Sequence, residues 1–334
     1  MAKYLVFDNG GTFIKPSIMN EQGEILEMLP KISTKTFDVS KMGAALGGGE
    51  DIDGLGGGEL NSVEKYLELL DPVYEPLKGQ VDGIAMSFPG VNDAEKGYCY
   101  SGGAFFFADK QPMGPIMTEH FGIPVTIEND GKCAALAEYW KGSLQDVQNG
   151  AVIVLGTGIG GGIIVNGEIL RGRRFSAGEL SYMVNDISNP TNMASSFTTD
   201  SAMGLCMKLA YAKGMQPGEI DGFGAFEMIK SGDPVAQAIF DKTCDEIIGQ
   251  AYNLTCILDL DAVAIGGGIS REQLLIDTLQ QKAEHLNANN PCAAYSAFYP
   301  KVYIRPCTFH NEANMVGALY HHLKLRGLLS AHAD

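Results

Sequence analysis

The chain has 334 residues, 24 basic against 40 acidic side chains for a net charge of −16, and 45% hydrophobic content. That apolar fraction can bury a core and excludes a disordered tail, while no apolar run reaches the ~18 residues of a membrane span. The acidic balance argues against nucleic acid or an anionic membrane as partner, since the densest basic stretch is only Arg171, Arg173 and Arg174.

In chain order, residues 4–12 run YLVFDNGGT, an apolar strand ending in Asp8 and a Gly10-Gly11 turn. A second strand follows from Phe13, and a turn at Gly23-Glu24-Ile25-Leu26 leads to a third. The segment 43–58 carries two triple-glycine runs and three acidic residues but no lysine. It suits a surface loop or a lid better than a phosphate loop. A helical pattern over 62–79 precedes the apolar run 81–90, VDGIAMSFPG, and the strand VTIEND at 125–130 closes this half. A helix is expected over 131–142.

The second half repeats this order. AVIVLGTGIGGG at 151–162 is again an apolar strand into a glycine turn, followed by IIVN and the same tetrapeptide, Gly167-Glu168-Ile169-Leu170. Helical patterns at 199–214 and 234–258 lead to DAVAIGGGIS at 261–270, and the strand KVYIRP at 301–306 closes the half. A strand order met twice is more informative than the shared tetrapeptide. It predicts two similar α/β domains with glycine turns at the strand ends, where open α/β sheets hold their ligands.

The glycines number 42, nearly twice the ~7% of an ordinary chain. Asp8-Asn9-Gly10-Gly11-Thr12 and Leu155 to Gly162 can each be a plain hairpin turn or a cradle of backbone N–H groups for phosphate. Neither fits a P-loop, and the strand after the second argues against a dinucleotide fingerprint. Asp8 can serve as a turn residue bonding its own backbone or hold Mg²⁺, directly or through water. Asp130 is either a helix N-cap or a base that takes the proton of an attacking alcohol. Glu179 suits paired sugar hydroxyls or plain solvent exposure. The six histidines show no metal-binding spacing, and the seven cysteines are scattered without a C-x-x-C pair. Reduced thiols, and the absence of an apolar leader after MAKYLVFDNGG, make the cytoplasm the expected location.

Taken together, D-N-G-G-T at the start, S-F-P-G at 87–90, E-N-D at 128–130, L-G-T-G-I-G-G-G at 155–162, A-G-E at 177–179 and I-G-G-G-I at 265–269 resemble the ROK family of sugar kinases and sugar-responsive repressors. The resemblance implies the two-domain actin-like (sugar kinase/Hsp70/actin) α/β fold with its active site in the interdomain cleft. It implies domains at 1–118 and 119–310, with a helix near 311–326 returning to the first. It also implies ATP and Mg²⁺ as cofactors and a homodimer. Asp130 takes the place of the catalytic base. Asn129, Glu179, Gly90 and Gly103 stand at substrate positions, while Gly10, Gly11, Thr12, Gly156, Thr157 and Gly158 stand at phosphate positions, with Gly267 and Gly268 near the adenosine. The family's repressors place a DNA-binding domain before the first motif, and here that motif starts at Asp8, so the kinase is expected.

Two departures narrow the resemblance. Family members typically have a sugar-contacting histidine and a cysteine-rich zinc cluster after the glutamate. Here Glu179-Leu180-Ser181-Tyr182 is followed by no cysteine until Cys206, so no zinc site is expected, and Phe197 and Met203 are the expected packing anchors. Tyr182 in place of the histidine, together with Gly102-Gly103-Ala104, resembles the beta-glucoside kinase branch. Its ring would either stack on a second sugar ring or fill core volume.

Overall fold

The computed structural model describes residues 2–34 and 60–329; the glycine-rich segment 43–58 lies outside them. The chain divides into two compact units. The first comprises residues 1–137, 172–176 and 312–334, and the second residues 138–171 and 177–311.

The first unit opens with an antiparallel meander of β1 (Lys3–Asn9), β2 (Phe13–Asn20) and β3 (Ile25–Met28), with a short β4 (Ile32–Ser33) also paired to β2. Helix α1 (Val63–Tyr74) follows. Ser62 caps it by accepting from the Lys65 N–H, and its buried face is Tyr66, Leu67, Leu70 and Tyr74, the three-to-four spacing of a one-sided helix. Its regular winding gives way to a tighter turn over Glu75–Leu77, where Pro76 has no N–H to continue the helical ladder. The chain then runs through β5 (Gly83–Phe88), a hairpin of β6 (Val91–Asp93) and β7 (Tyr98–Ser101), α2 (Met113–Phe121), β8 (Val125–Asn129) and α3 (Asp130–Lys141).

β5 lies parallel to β1, and β8 parallel to β5 with Phe88 opposite Asn129, giving the sheet order β3-β2-β1-β5-β8. These parallel neighbours need crossovers, which α1 and α2 supply. β8 is therefore an integral strand of the first sheet. That moves the division of the chain from the expected 118/119 to Ala137, inside α3, and brings Asn129 and Asp130 into the first unit.

The second unit repeats the plan. β9 (Gly150–Leu155), β10 (Ile159–Val165) and β11 (Glu168–Ile169) form a second antiparallel meander. Helices α4 (Ala202–Ala212), α5 (Gly222–Lys230) and α6 (Pro234–Leu258) precede β12 (Ala262–Gly266), then α7 (Gln273–Asn289) and β13 (Ile304–Pro306). The sheet order β11-β10-β9-β12-β13 matches the first sheet strand for strand, with the same parallel and antiparallel senses. The strand expected over 301–306 shortens to three residues. Asn287 of α7 both donates to the Val302 carbonyl and accepts its N–H, at 2.8 and 3.0 Å, so that backbone is satisfied outside the sheet. Finally α8 (Ala313–Leu325) belongs to the first unit, against β1, β5 and β8.

Each unit has its own core. In the first, Leu5, Phe7, Ile84, Met86 and Ile127 of the sheet meet Tyr66, Leu70 and Met117 of the helices. In the second, Ile153, Leu155, Val263 and Ile265 meet Leu205, Phe226, Ile247 and Leu279. Phe197, an expected anchor, is fully buried there. Met203 is only half-buried and serves differently, as described below.

Candidate active site

In the first unit the strand ends of β1, β5 and β8 converge. Asn9 is tied at both ends of its amide: Nδ2 donates to Ser87 O at 2.8 Å, and Oδ1 accepts from the fully buried Tyr66 hydroxyl at 2.7 Å. Burial pushes the Tyr66 phenol well above its ordinary range, so it stays a donor. This fixes where the Gly10-Gly11-Thr12 turn leaves the sheet, and Gly10 N–H closes that turn onto Phe13 O at 3.1 Å. Asp8 is buried. Its Oδ2 pairs with Lys15 Nζ at 2.7 Å across the β1–β2 ladder, and its Oδ1 accepts from Asn314 of α8 at 2.9 Å.

Asp130 begins α3, but it is Asn129 that caps the helix: Asn129 Oδ1 accepts from Lys132 N–H at 3.0 Å. The two roles open for Asp130 are thus separated by one residue. Asn129 Nδ2 holds Asp130 Oδ1 at 3.0 Å and Gly90 O at 2.9 Å, and Asp130 Oδ1 also accepts the Gly131 N–H at 2.8 Å. Burial raises the Asp130 carboxyl above its usual range, and the nearby Asp8 charge raises it further against the opposing Gly131 N–H and Lys132. A carboxyl tuned upward and placed beside a second carboxylate is suited to accepting a proton.

Gly90 has φ of +86°, and a Cβ there would lie 1.9 Å from Ser101 O and 2.7 Å from Gly103 N. Only glycine lets the two loops meet, and their meeting brings Gly103 beside the Gly90–Asn129 contact.

In the second unit the Gly156-Thr157-Gly158 turn is closed by Gly156 N–H to Gly158 O at 3.0 Å. It is braced from behind: Ser201 Oγ donates to Thr157 O at 3.0 Å, and Met203 N–H donates to Gly156 O at 3.2 Å. The turn opens on a cavity of about 660 Å³, within the range of small-molecule sites. Gly156, Thr157 and Gly268 line its polar end, while Met203, Ile220 and Phe223 give an apolar wall. Gly267 follows β12 with φ of +94°. A Cβ there would lie 2.2 Å from Leu155 O, so glycine lets β12 and β9 end side by side at the cavity. Phe223 and Ile220 were not legible as site residues. Around them the sequence offers only Asp221-Gly222-Phe223 at the start of α5, where Asp221 Oδ1 accepts from the Gly224 N–H at 2.8 Å.

Glu179 is half-buried and follows Gly178, whose φ is +87°. Tyr182 is 80% exposed, which removes the core-volume reading. Ser181, between them, locks this short turn to β10 through its Oγ: it accepts from Ile159 N–H and donates to Ile159 O, both at 2.9 Å.

The segment after Tyr182 is held by a buried polar network. Asp200, fully buried, receives Lys208 Nζ at 2.6 Å and the Asn185 amide, and Asn185 Oδ1 accepts from Gln250 of α6 at 2.7 Å. Among the described residues no cluster of three or more histidine, cysteine or acidic side chains is arranged to hold a metal ion. That does not bear on Mg²⁺, which takes one or two carboxylates and completes its shell with water and phosphate oxygens. Asp8 fits such a role through water, since both its oxygens already accept a hydrogen bond from the protein. No helix among the described residues is long and apolar enough to cross a membrane.

The model of the ROK family matches residues 63–324. A beta-glucoside kinase of Listeria monocytogenes is 31% identical over 96% of this chain and 98% of its own length. A glucokinase of Halalkalibacterium halodurans is 28% identical over 94% and 93%. Among solved structures, the Lmo2764 protein of Listeria monocytogenes superposes with a TM-score of 0.79 at 28% identity, covering 97% of this chain and 99% of that one. The sheet order repeated in both units is the actin-like ATPase plan, and the matches run over nearly the whole chain. The chain therefore belongs to the ROK family, and it stands among that family's sugar kinases.

Proposed function

We propose that this protein transfers the γ-phosphoryl group of ATP to the 6-hydroxyl of a glucose unit, and that a β-glucoside such as cellobiose is its substrate. The observation that carries the transfer is the Asn129–Asp130 pair. Because Asn129 takes over the helix cap, Asp130 is released for the substrate, and its carboxyl is tuned toward neutrality by burial and by Asp8. In the reaction Asp130 accepts the O6 proton as O6 forms its bond to the γ-phosphorus. The bond from that phosphorus to the β–γ bridging oxygen breaks, ADP leaves, and the proton passes from Asp130 to solvent. Asn129, Gly90 and Gly103 in the first unit, and Glu179 and Tyr182 in the second, are the proposed sugar contacts.

The turns Gly10-Gly11-Thr12 and Gly156-Thr157-Gly158 would lie against the phosphates, the Gly10 and Gly156 N–H groups holding the turns closed, with Gly267 and Gly268 beside the adenosine. Phosphoryl transfer asks the protein mainly for such positioning and charge stabilisation. Asp8 would hold Mg²⁺ through water, and the ion would supply neutralising charge at the phosphates. The same proposal has the enzyme acting as a homodimer in the cytoplasm.

The β-glucoside assignment is supported by the exposed Tyr182 ring where the family pattern has a histidine, and by the likeness to the Listeria enzyme. The test is a coupled ADP-release assay over cellobiose, methyl β-D-glucoside, glucose and N-acetylmannosamine. Cellobiose should match or exceed glucose in kcat/KM. Strong preference for glucose or N-acetylmannosamine with cellobiose inert would overturn the glucoside and leave the kinase. ADP release with no sugar would overturn both.

A further inference from the structure

Outside the groups assigned above, the first unit carries a set of aromatic rings that its core does not absorb. Tyr98 and Tyr100 lie two apart on β7 and so share one face, with ring centroids 4.9 Å apart. Tyr100 stacks on Phe175 at 5.5 Å with the planes inclined by 17°, and the Tyr100 residue is 48% exposed.

These rings are held in place. Tyr98 Oη donates to Lys110 O at 3.0 Å. Phe175 has φ of +60°, a left-handed backbone that a bulky side chain seldom adopts, so its surroundings must impose it. One such constraint is Lys132, almost wholly buried, whose Nζ donates to Phe175 O at 3.2 Å. Lys132 is also the residue whose N–H Asn129 caps. The stack is thus referenced to the same helix start as Asp130. From the other side, β7 ends at Ser101, whose carbonyl packs against Gly90, and Gly90 O accepts from Asn129. Two short paths therefore join the aromatic face to the sugar-binding end of this unit.

We propose that the Tyr100–Phe175 stack is the aglycone subsite: it receives the ring joined to C1 of a β-glucoside while the glucose unit presents O6 to Asp130. The chemistry fits, since a pyranose offers a face of C–H bonds and an aryl group a π face, and both lie flat on an aromatic side chain. Neither ring brings a charge. The assignment rests on the β-glucoside reading above and goes beyond it in naming the residues that favour a two-ring substrate.

The test uses the full-length wild type, Tyr100→Ala and Tyr100→Phe on four substrates: cellobiose, phenyl β-D-glucoside, methyl β-D-glucoside and glucose. Tyr100→Ala should lower kcat/KM about fivefold to tenfold on the two-ring substrates, mostly through KM, and change glucose and the methyl glucoside by less than about twofold. Tyr100→Phe keeps the ring and should restore the wild-type values. A loss on phenyl glucoside alone assigns the subsite to aryl aglycones, and a loss on both assigns it to either ring. Equal loss on all four substrates, or no loss on any, overturns the subsite with the glucoside reading intact. A wild type that rejects both two-ring substrates overturns the glucoside reading itself.

Discussion

The two units share one sheet order, but they put different chemistry at the same strand ends. In the first, the strand entering the glycine turn carries Asp8, which pairs with Lys15 across the ladder. In the second, the aligned pair is Val154 opposite Gly160. The last strand of the first path, β8, delivers Asn129 and Asp130, whereas its counterpart β13 ends at Pro306 and delivers no side chain of that kind. Beside its glycine turn the first frame therefore presents strand-end carboxylates, whereas the second presents a glycine turn that opens on a cavity. The difference teaches that the fold supplies places, and that a few residues at strand ends decide which chemistry each place can host.

The sharpest way to break that division is to remove the proton acceptor. Asp130→Asn keeps the size and the hydrogen bonds to Asn129 and Gly131, so sugar affinity should persist while kcat falls by roughly 10²–10⁴. Turnover near wild type would remove Asp130 from its role. The pH profile sharpens the same point. The base works deprotonated and its pKa is raised, so in the wild type the acid limb of kcat/KM should lie above the ordinary aspartate range. Part of the rise comes from the Asp8 charge, so Asp8→Asn should move that limb to lower pH, whatever it does to the maximal rate. An unmoved limb would dissociate the two carboxylates.

A paired substitution tests whether the Gly90 and Gly267 positions serve different ligands. Gly90 and Gly267 each follow the second strand of their sheet's parallel set with positive φ, pressed against neighbouring backbone. Alanine at either site meets a carbonyl oxygen at about 2 Å, and the backbone must move. Gly90→Ala should raise KM for the sugar and Gly267→Ala KM for ATP, each by about 10- to 100-fold, the scale of ~1–3 kcal/mol of backbone strain. If each variant weakens both ligands alike, the division of labour is wrong.

The repeat itself was legible because it is local: apolar strands, glycine turns, and helices whose spacing gave 234–258 the same bounds as α6. What escaped was fixed at long range. The boundary at 118/119 implied by the resemblance left β8 out of the first unit, although the repeat places VTIEND at the close of the first half, where it pairs with β5 some 40 residues earlier. Choosing between Asn129 and Asp130 as the cap required the actual path of the first turn. Phe223 and Ile220 reach the cavity only through the packing of α5, and an exposed phenylalanine in a sequence is indistinguishable from a buried one. Met203 was read as an anchor from its hydrophobicity alone, whereas its N–H on Gly156 sets it at the cavity wall.

Aromatic surfaces give a smaller contrast. Tyr182 of the second unit is exposed, so Tyr182→Ala removes no core volume and should leave stability unchanged. It should lower kcat/KM for cellobiose more than for glucose, by about fivefold to tenfold, as expected for one lost stacking contact. Equal losses on both sugars would mean that Tyr182 serves only the glucose ring, leaving recognition of the second ring to the first unit.

The smallest effect concerns the network that anchors the segment after Tyr182. Asp200 is pushed up to about 7, chiefly by burial and next by its hydrogen bond with Glu246, against the pull of Lys208. A carboxyl with a raised folded-state pKa holds its proton in the folded chain where the unfolded chain has lost it. Its contribution to stability is complete below pH 4 and disappears as pH climbs to about 7. Asn cannot ionise, yet it can still accept from Lys208 through its amide oxygen. Between pH 5 and pH 8 the melting temperature of the wild type should therefore fall further than that of Asp200→Asn, by about 3 °C. The absolute stability of the variant is a separate matter, because Lys208 loses its charged partner in exchange for Asn, and only the difference in slope reports the titration. Parallel slopes would show that Asp200 stays ionised beside Lys208 throughout. In that case the segment is held by a permanent ion pair, and the second unit carries no titrating carboxyl to set against Asp130 in the first.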